Sequence, residues 1–171
     1  MASLVFRGSK SPTVPKPTAY IETSVIGYLT ARPSRDVIVA ACQQATQAWW
    51  EQCAGRFDLY ASVLVIREAA KGARSEARKR LAVLDSFPIL DLNEEALRLA
   101  ERFVRRKVLP AKAGDDALHI ALATVHDMDY LLTWNCKHIG NPAIQKKIAA
   151  LSRERGYDLP TICTPREFLG T

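Results

Sequence analysis

The sequence has few cysteines and no long apolar run, and both shortages exclude something. Its four cysteines, Cys42, Cys53, Cys136 and Cys163, include no C-x-x-C pair and no His/Cys cluster at zinc-finger spacing. That argues against a disulfide framework and against structural zinc, and it fits a reducing cytoplasm. No stretch approaches the roughly 20 apolar residues of a membrane span. Near the start only Leu4, Val5 and Phe6 are apolar before Arg7, so a signal-peptide core is not expected either. What is there instead is the profile of one globular domain. The chain has 171 residues, 48% hydrophobic and 25% charged, and a domain of that size buries roughly 70% of its unfolded surface. The net charge of +6 is unevenly spread, because Arg7, Lys10 and Lys16 fall in a segment, 1–17, that has no acid. Pro12, Pro15 and Pro17 fix φ and remove donors there. Residues 1–17 are therefore expected to be a flexible basic tail, inert or contacting phosphates, before a single domain over 18–171.

From Thr18 onward, short apolar runs alternate with longer helical periodicity, the pattern of βαβ units and a parallel sheet. Strands are expected over 19–22, 58–61, 89–92, 130–133 and 161–163. Helices are expected over 36–53, 63–71, 74–84, 93–108, 115–125 and 142–155, with Gly72 breaking the second from the third. Asn93 suits a helix cap, with Glu94 and Glu95 in its first turn. The stretch after Asp116 is almost entirely apolar, which predicts a helix at the centre of the domain. There is no internal repeat.

In open parallel sheets ligands bind beyond the carboxyl ends of the strands, so polar residues at those ends carry the information. Glu22 ends the first strand, Glu68 follows the run Val63-Leu64-Val65-Ile66, Asp115 and Asp116 open the central helix, and Asn135 follows the fourth strand. Carboxylates gathered on one rim repel one another, raise one another's pKa or recruit a cation, and hard oxygen donors suit Mg²⁺ or Mn²⁺. Asp115 suits a helix cap as well as a ligand, and Glu68 a solvated helix face as well as a site. Thr23 or Ser24 is expected to cap the first helix.

The segments Tyr20-Ile21-Glu22-Thr23-Ser24-Val25-Ile26, Glu68-Ala69-Ala70-Lys71-Gly72, Asp115-Asp116-Ala117-Leu118-His119-Ile120-Ala121 and Leu132-Thr133-Trp134-Asn135 resemble, in order and spacing, those of PIN domains. They look most like the VapC-type toxin ribonucleases of type II toxin-antitoxin pairs. The resemblance implies a three-layer α/β/α sandwich with a five-stranded parallel sheet. It also implies a Mg²⁺- or Mn²⁺-dependent endoribonuclease leaving 5′-phosphate and 3′-hydroxyl ends. On that reading Glu22, Glu68 and Asp116 hold the metal, Asp115 supports them, and Asn135 orients the attacking water. The chain departs from the pattern twice: most members have Asp where Glu22 stands, and the late acid that some carry is Asn135 here. A catalytically weak or inactive module that binds RNA or protein is the alternative. An α/β phosphohydrolase is a further one, against which Glu22 in place of a nucleophilic Asp counts.

An acidic site that receives a polyanion needs basic surroundings. Arg98, Arg102, Arg105 and Arg106 fall on one helix face, Lys71, Arg74 and Arg78 form a second stripe, and Thr23 and Ser24 offer hydroxyls to a phosphate. Trp49 and Trp50 are adjacent in a helix, so one of them is expected to be exposed, at an interface with a second copy or an antitoxin, or else partly buried under the tail. The expected partners are thus RNA, an antitoxin and a homodimer mate, with no membrane. His119 and His138 are expected to satisfy hydrogen bonds rather than act chemically.

Overall fold

The computed structural model describes residues 15–170, so the segment expected as a tail lies outside the described residues except for Pro15, Lys16 and Pro17. Five strands form one parallel sheet: β1 (Thr18–Ile21), β2 (Asp58–Ser62), β3 (Ile89–Leu90), β4 (Tyr130–Leu132) and β5 (Thr161–Cys163), in the order β3-β2-β1-β4-β5. Among the described residues seven α-helices connect them: α1 (Thr23–Thr30), α2 (Val37–Gln52), α3 (Val63–Ala69), α4 (Arg74–Leu84), α5 (Glu94–Arg105), α6 (Gly114–Val125) and α7 (Pro142–Arg153).

The topology explains the layering. From β1 to β2 to β3 the chain steps one way across the sheet, carrying α1 to α4. It then crosses to β4 and β5 on the other side of β1, carrying α5 to α7. Right-handed crossovers in opposite directions put the two helix groups on opposite faces. The packing agrees, since α1 lies against α2, α3 and α4 while α5 lies against α6 and α7. This is the three-layer α/β/α sandwich expected.

Local sequence sets most element ends. Asp36, Ser62, Asn93 and Asn141 cap α2, α3, α5 and α7 through their side chains, and Pro142 opens α7. Gly72, at φ +87°, makes the break between α3 and α4 that a β-carbon would strain. The central helix is α6, in which Ala117 and the run from His119 to Thr124 are buried. β3 is only two residues long, shorter than the expected 89–92, because it pairs only with the end of β2, at Ala61 and Ser62.

Neither indole of the tryptophan pair is fully exposed. Trp49 is fully buried, and Trp50, although partly accessible, stacks on Phe87 with ring centroids 6.2 Å apart and planes 10° from parallel. Adjacent helix positions diverge by about 100°, but the loop before β3 rises to cover the second indole. All four cysteines are free, and burial, with Glu167 nearby, pushes the Cys163 thiol up to about 12. Among the described residues no helix is long and apolar enough to cross a membrane.

Candidate active site

The sheet order creates a switch point at β1. Its neighbour β2 is reached over one face and its neighbour β4 over the other, so the chain parts at their carboxyl ends and leaves a crevice. Glu22 stands at that point. Its backbone N–H continues the ladder to Leu132 O at 3.0 Å, while its side chain folds back over the start of α1. Oε1 accepts from Ser24 N at 3.1 Å, and Oε2 accepts from the Ser24 hydroxyl and from Thr133 Oγ1 at 2.7 Å. The cap of α1 is therefore Glu22 itself, not Thr23 or Ser24 as expected. The longer glutamate side chain reaches round to the first-turn N–H, which leaves the Ser24 hydroxyl free to accept from Trp134 N at 2.8 Å.

Glu68 arrives from the last turn of α3. Its Oε2 accepts from the Thr23 hydroxyl and lies 3.0 Å from His119 Nε2. Burial pushes this carboxyl up, but the hydrogen bond and charge of His119, the Thr23 hydroxyl and the nearby Lys71 outweigh it and hold the group below its usual range. On the other side of the ring, His119 Nδ1 lies 2.7 Å from Tyr20 Oη, which in turn lies 2.8 Å from Ser62 Oγ. Burial drives the Tyr20 phenol well above its ordinary value, so it stays neutral.

Asp116, in the first turn of α6, forms a second cluster. Its Oδ1 accepts from Asn135 Nδ2 at 2.8 Å, and its Oδ2 lies 2.6 Å from His138 Nδ1. Asn135 Oδ1 accepts from His138 N at 3.2 Å, so both ends of the amide are engaged on the protein. Thr133 joins the two clusters, donating to Glu22 and accepting from Asn135 N at 2.9 Å. Asp115 neither caps α6 nor enters the crevice, and pairs instead with Arg67 at 3.3 Å on the surface.

Of the expected site residues, the structure brings the carboxylates of Glu22 and Glu68 together with His119, one possible ligand atom from each lying within 4.8 Å of the others. Two carboxylates and an imidazole suit a divalent cation. Thr133, His119 and His138 were not singled out as site residues. The signal for the two histidines was their place three residues after Asp116 and after Asn135. The arginine stripe is partly neutralised from within: Arg98 pairs with Glu94 and Arg102 with Glu154. With Arg105 they line a cleft of about 550 Å³ that also holds Glu95 and Glu101. Lys71 and Arg74 are exposed.

Comparison with known proteins places this geometry. Among solved structures, the chain is similar to one in VapBC2 from Rickettsia felis, a complex bound to a DNA fragment from its promoter. The TM-score is 0.53 at 15% identity, covering 74% of this chain and 94% of that one, a likeness of fold. No curated protein matches in sequence. The PIN domain profile matches residues 19–135, from the first strand to the asparagine that holds Asp116. That span covers most of the chain and both halves of the crevice, and the chain belongs to the PIN domain family.

Proposed function

We propose that the protein is a divalent-metal-dependent endoribonuclease, the toxin of a toxin-antitoxin pair. The observation that carries this is the meeting of the Glu22 and Glu68 carboxylates with His119 at the switch point of the sheet, with Asp116 linked to them through Asn135 and Thr133. Membership of a family whose members are generally nucleases supports it, as does a fold shared with a chain of a VapBC complex. The RNA substrate, the antitoxin, a homodimer mate and a cytoplasmic location belong to the same proposal.

Glu22, Glu68 and Asp116 would hold Mg²⁺ or Mn²⁺. When bound, such an ion lowers the pKa of water and offsets charge on the phosphate under attack. The protein's own part is positional. Ser24 and Thr133 fix the Glu22 carboxylate, Thr23 and His119 fix Glu68, and Asn135 and His138 fix Asp116. With its amide spent on Asp116, Asn135 serves by orienting that carboxylate. Lys71, Arg74, Arg78, Arg105 and Arg106 are the stripe cations for the RNA backbone that form no ion pair among the described residues.

A binding module without activity is the second reading. It is favoured by the same hydrogen bonds, which engage each of these carboxylates within the protein. The phosphohydrolase reading needs an open nucleophile after β1, whereas Glu22 is 6% exposed and takes hydrogen bonds from Ser24 and Thr133. The deciding experiment is cleavage of a mixed panel of labelled RNAs with Mg²⁺, Mn²⁺ or EDTA, beside Asp116→Asn. Metal-dependent cutting lost in the mutant is expected. Absence of cutting under every condition would favour the binding module.

A further inference from the structure

His119 has only 1% of its surface exposed, and its two ring nitrogens have different surroundings. Nδ1 faces Tyr20 Oη at 2.7 Å, and Tyr20 Oη faces Ser62 Oγ at 2.8 Å. Nε2 faces the acids, 3.0 Å from Glu68 Oε2. A histidine that ligates a metal typically gives its other ring N–H to a fixed oxygen acceptor, which selects the tautomer and holds the ring. Tyr20 fills that place. With an ion bound and the ring proton on Nδ1, Tyr20 Oη would accept that proton and turn its own hydroxyl to Ser62 Oγ, and Nε2, which otherwise hydrogen-bonds Glu68, would offer its lone pair to the ion.

The spacing is also that of a coordination shell. Two donors at right angles on an ion bound at about 2.1 Å lie about 3.0 Å apart, the separation of Nε2 from Glu68 Oε2. Glu22 keeps lone pairs for an ion as well, since among the described residues Oε1 accepts one hydrogen bond, from Ser24 N.

We propose that Glu22, Glu68 and His119 form a mixed oxygen-nitrogen site for a first-row transition ion such as Mn²⁺, with His119 Nε2 as a ligand, and that the site prefers such an ion to Mg²⁺. This rests on the metal-dependent reading above and sharpens it. Mg²⁺ is a hard ion that keeps its waters and takes oxygen donors, whereas imidazole nitrogen favours transition ions. Three carboxylates alone would not discriminate in this way. His138, the other histidine near the acids, meets Asp116 through Nδ1 and lies outside the Glu22, Glu68 and His119 group.

The test is Mn²⁺ and Mg²⁺ titration of the EDTA-treated full chain, followed by pulsed EPR of the Mn²⁺-loaded protein, which reads nitrogen bonded to the ion. Mn²⁺ should bind at least about 10-fold more tightly than Mg²⁺, and its spectrum should show ¹⁴N modulation. That modulation should change when the histidines are labelled with ¹⁵N. His119→Gln should lose it and bind Mn²⁺ about 10- to 100-fold more weakly, the range for disturbed metal sites, while His138→Gln keeps it. The native protein decides even where a variant fails to fold. Bound Mn²⁺ without histidine nitrogen, or nitrogen that survives in His119→Gln, overturns the proposal. Nitrogen-bound Mn²⁺ in a protein that cuts no RNA would uphold this site and overturn the nuclease. Metal-dependent cutting with no nitrogen on the ion would do the reverse.

Discussion

Asn135 Nδ2 donates to Asp116 Oδ1 at 2.8 Å, a neutral amide holding a carboxylate where some PIN domains have a further acid. Replacing it with Asn135→Asp removes the donor and sets two carboxylates in contact, where like charges raise one another's pKa and destabilise the fold. A cation relieves that repulsion. Without metal the variant should melt several degrees below the wild type, and saturating Mn²⁺ should raise its Tm by more than it raises the wild type's. Thermal melts with and without Mn²⁺ check this. Equal shifts in the two proteins would show that the 135 position lies outside the ion's field.

Asp116→Asn keeps an oxygen to accept from Asn135 and removes a negative charge from the crevice. Metal-dependent cleavage should fall by at least about 100-fold, a loss that disturbing a metal site's supporting groups can already reach. The Tm in EDTA should stay level or rise. Full cleavage by this variant would remove Asp116 from the site.

Glu68 links the site to pH. His119, Thr23 and Lys71 hold its carboxyl below the usual value despite its burial. The native pKa then lies below the unfolded one, about 4.3. The unfolded state takes up the proton first, so the stabilisation is complete above the unfolded value and is lost as pH falls through the native one. In EDTA, Glu68→Gln should melt below the wild type at pH 6, and the gap should narrow as pH falls below the unfolded value of about 4.3. A gap that stays constant there would refute the account.

The sheet and its order of elements were legible because apolar runs broken by polar helix starts leave few parallel topologies open. The site was legible only as a set of acids. Sequence shows which carboxylates reach the crevice but not how they divide, since that depends on which side chain of a neighbouring element arrives with a donor. Glu22 capping α1, Asn135 turned onto Asp116 and Asp115 drawn out to Arg67 are all outcomes of tertiary packing. The histidines were passed over for the reason that makes them useful here: their hydrogen bonds are satisfied, and the partners are Glu68 and Asp116. The environment of Trp50 was not legible because its cover, Phe87, comes from a loop 37 residues further along the chain.

That last contact separates two roles for the tryptophan pair. Trp49 is fully buried and meets Phe57 at 6.2 Å, so Trp49→Ala opens a large cavity and should cost about 3–5 kcal/mol. At roughly 2–4 °C per kcal/mol for a chain of this size, its Tm should fall by about 6–20 °C. Trp50 loses only its stacking on Phe87 and part of its burial, so Trp50→Ala should cost about 1–3 kcal/mol. Because Phe87 in the same chain already covers it, Trp50→Ala should leave the sedimentation coefficient unchanged at every protein concentration at which the variant is folded. A shift toward a smaller species in that variant alone would mean that the indole reaches past Phe87 to a second copy, and would restore the interface that the sequence suggested.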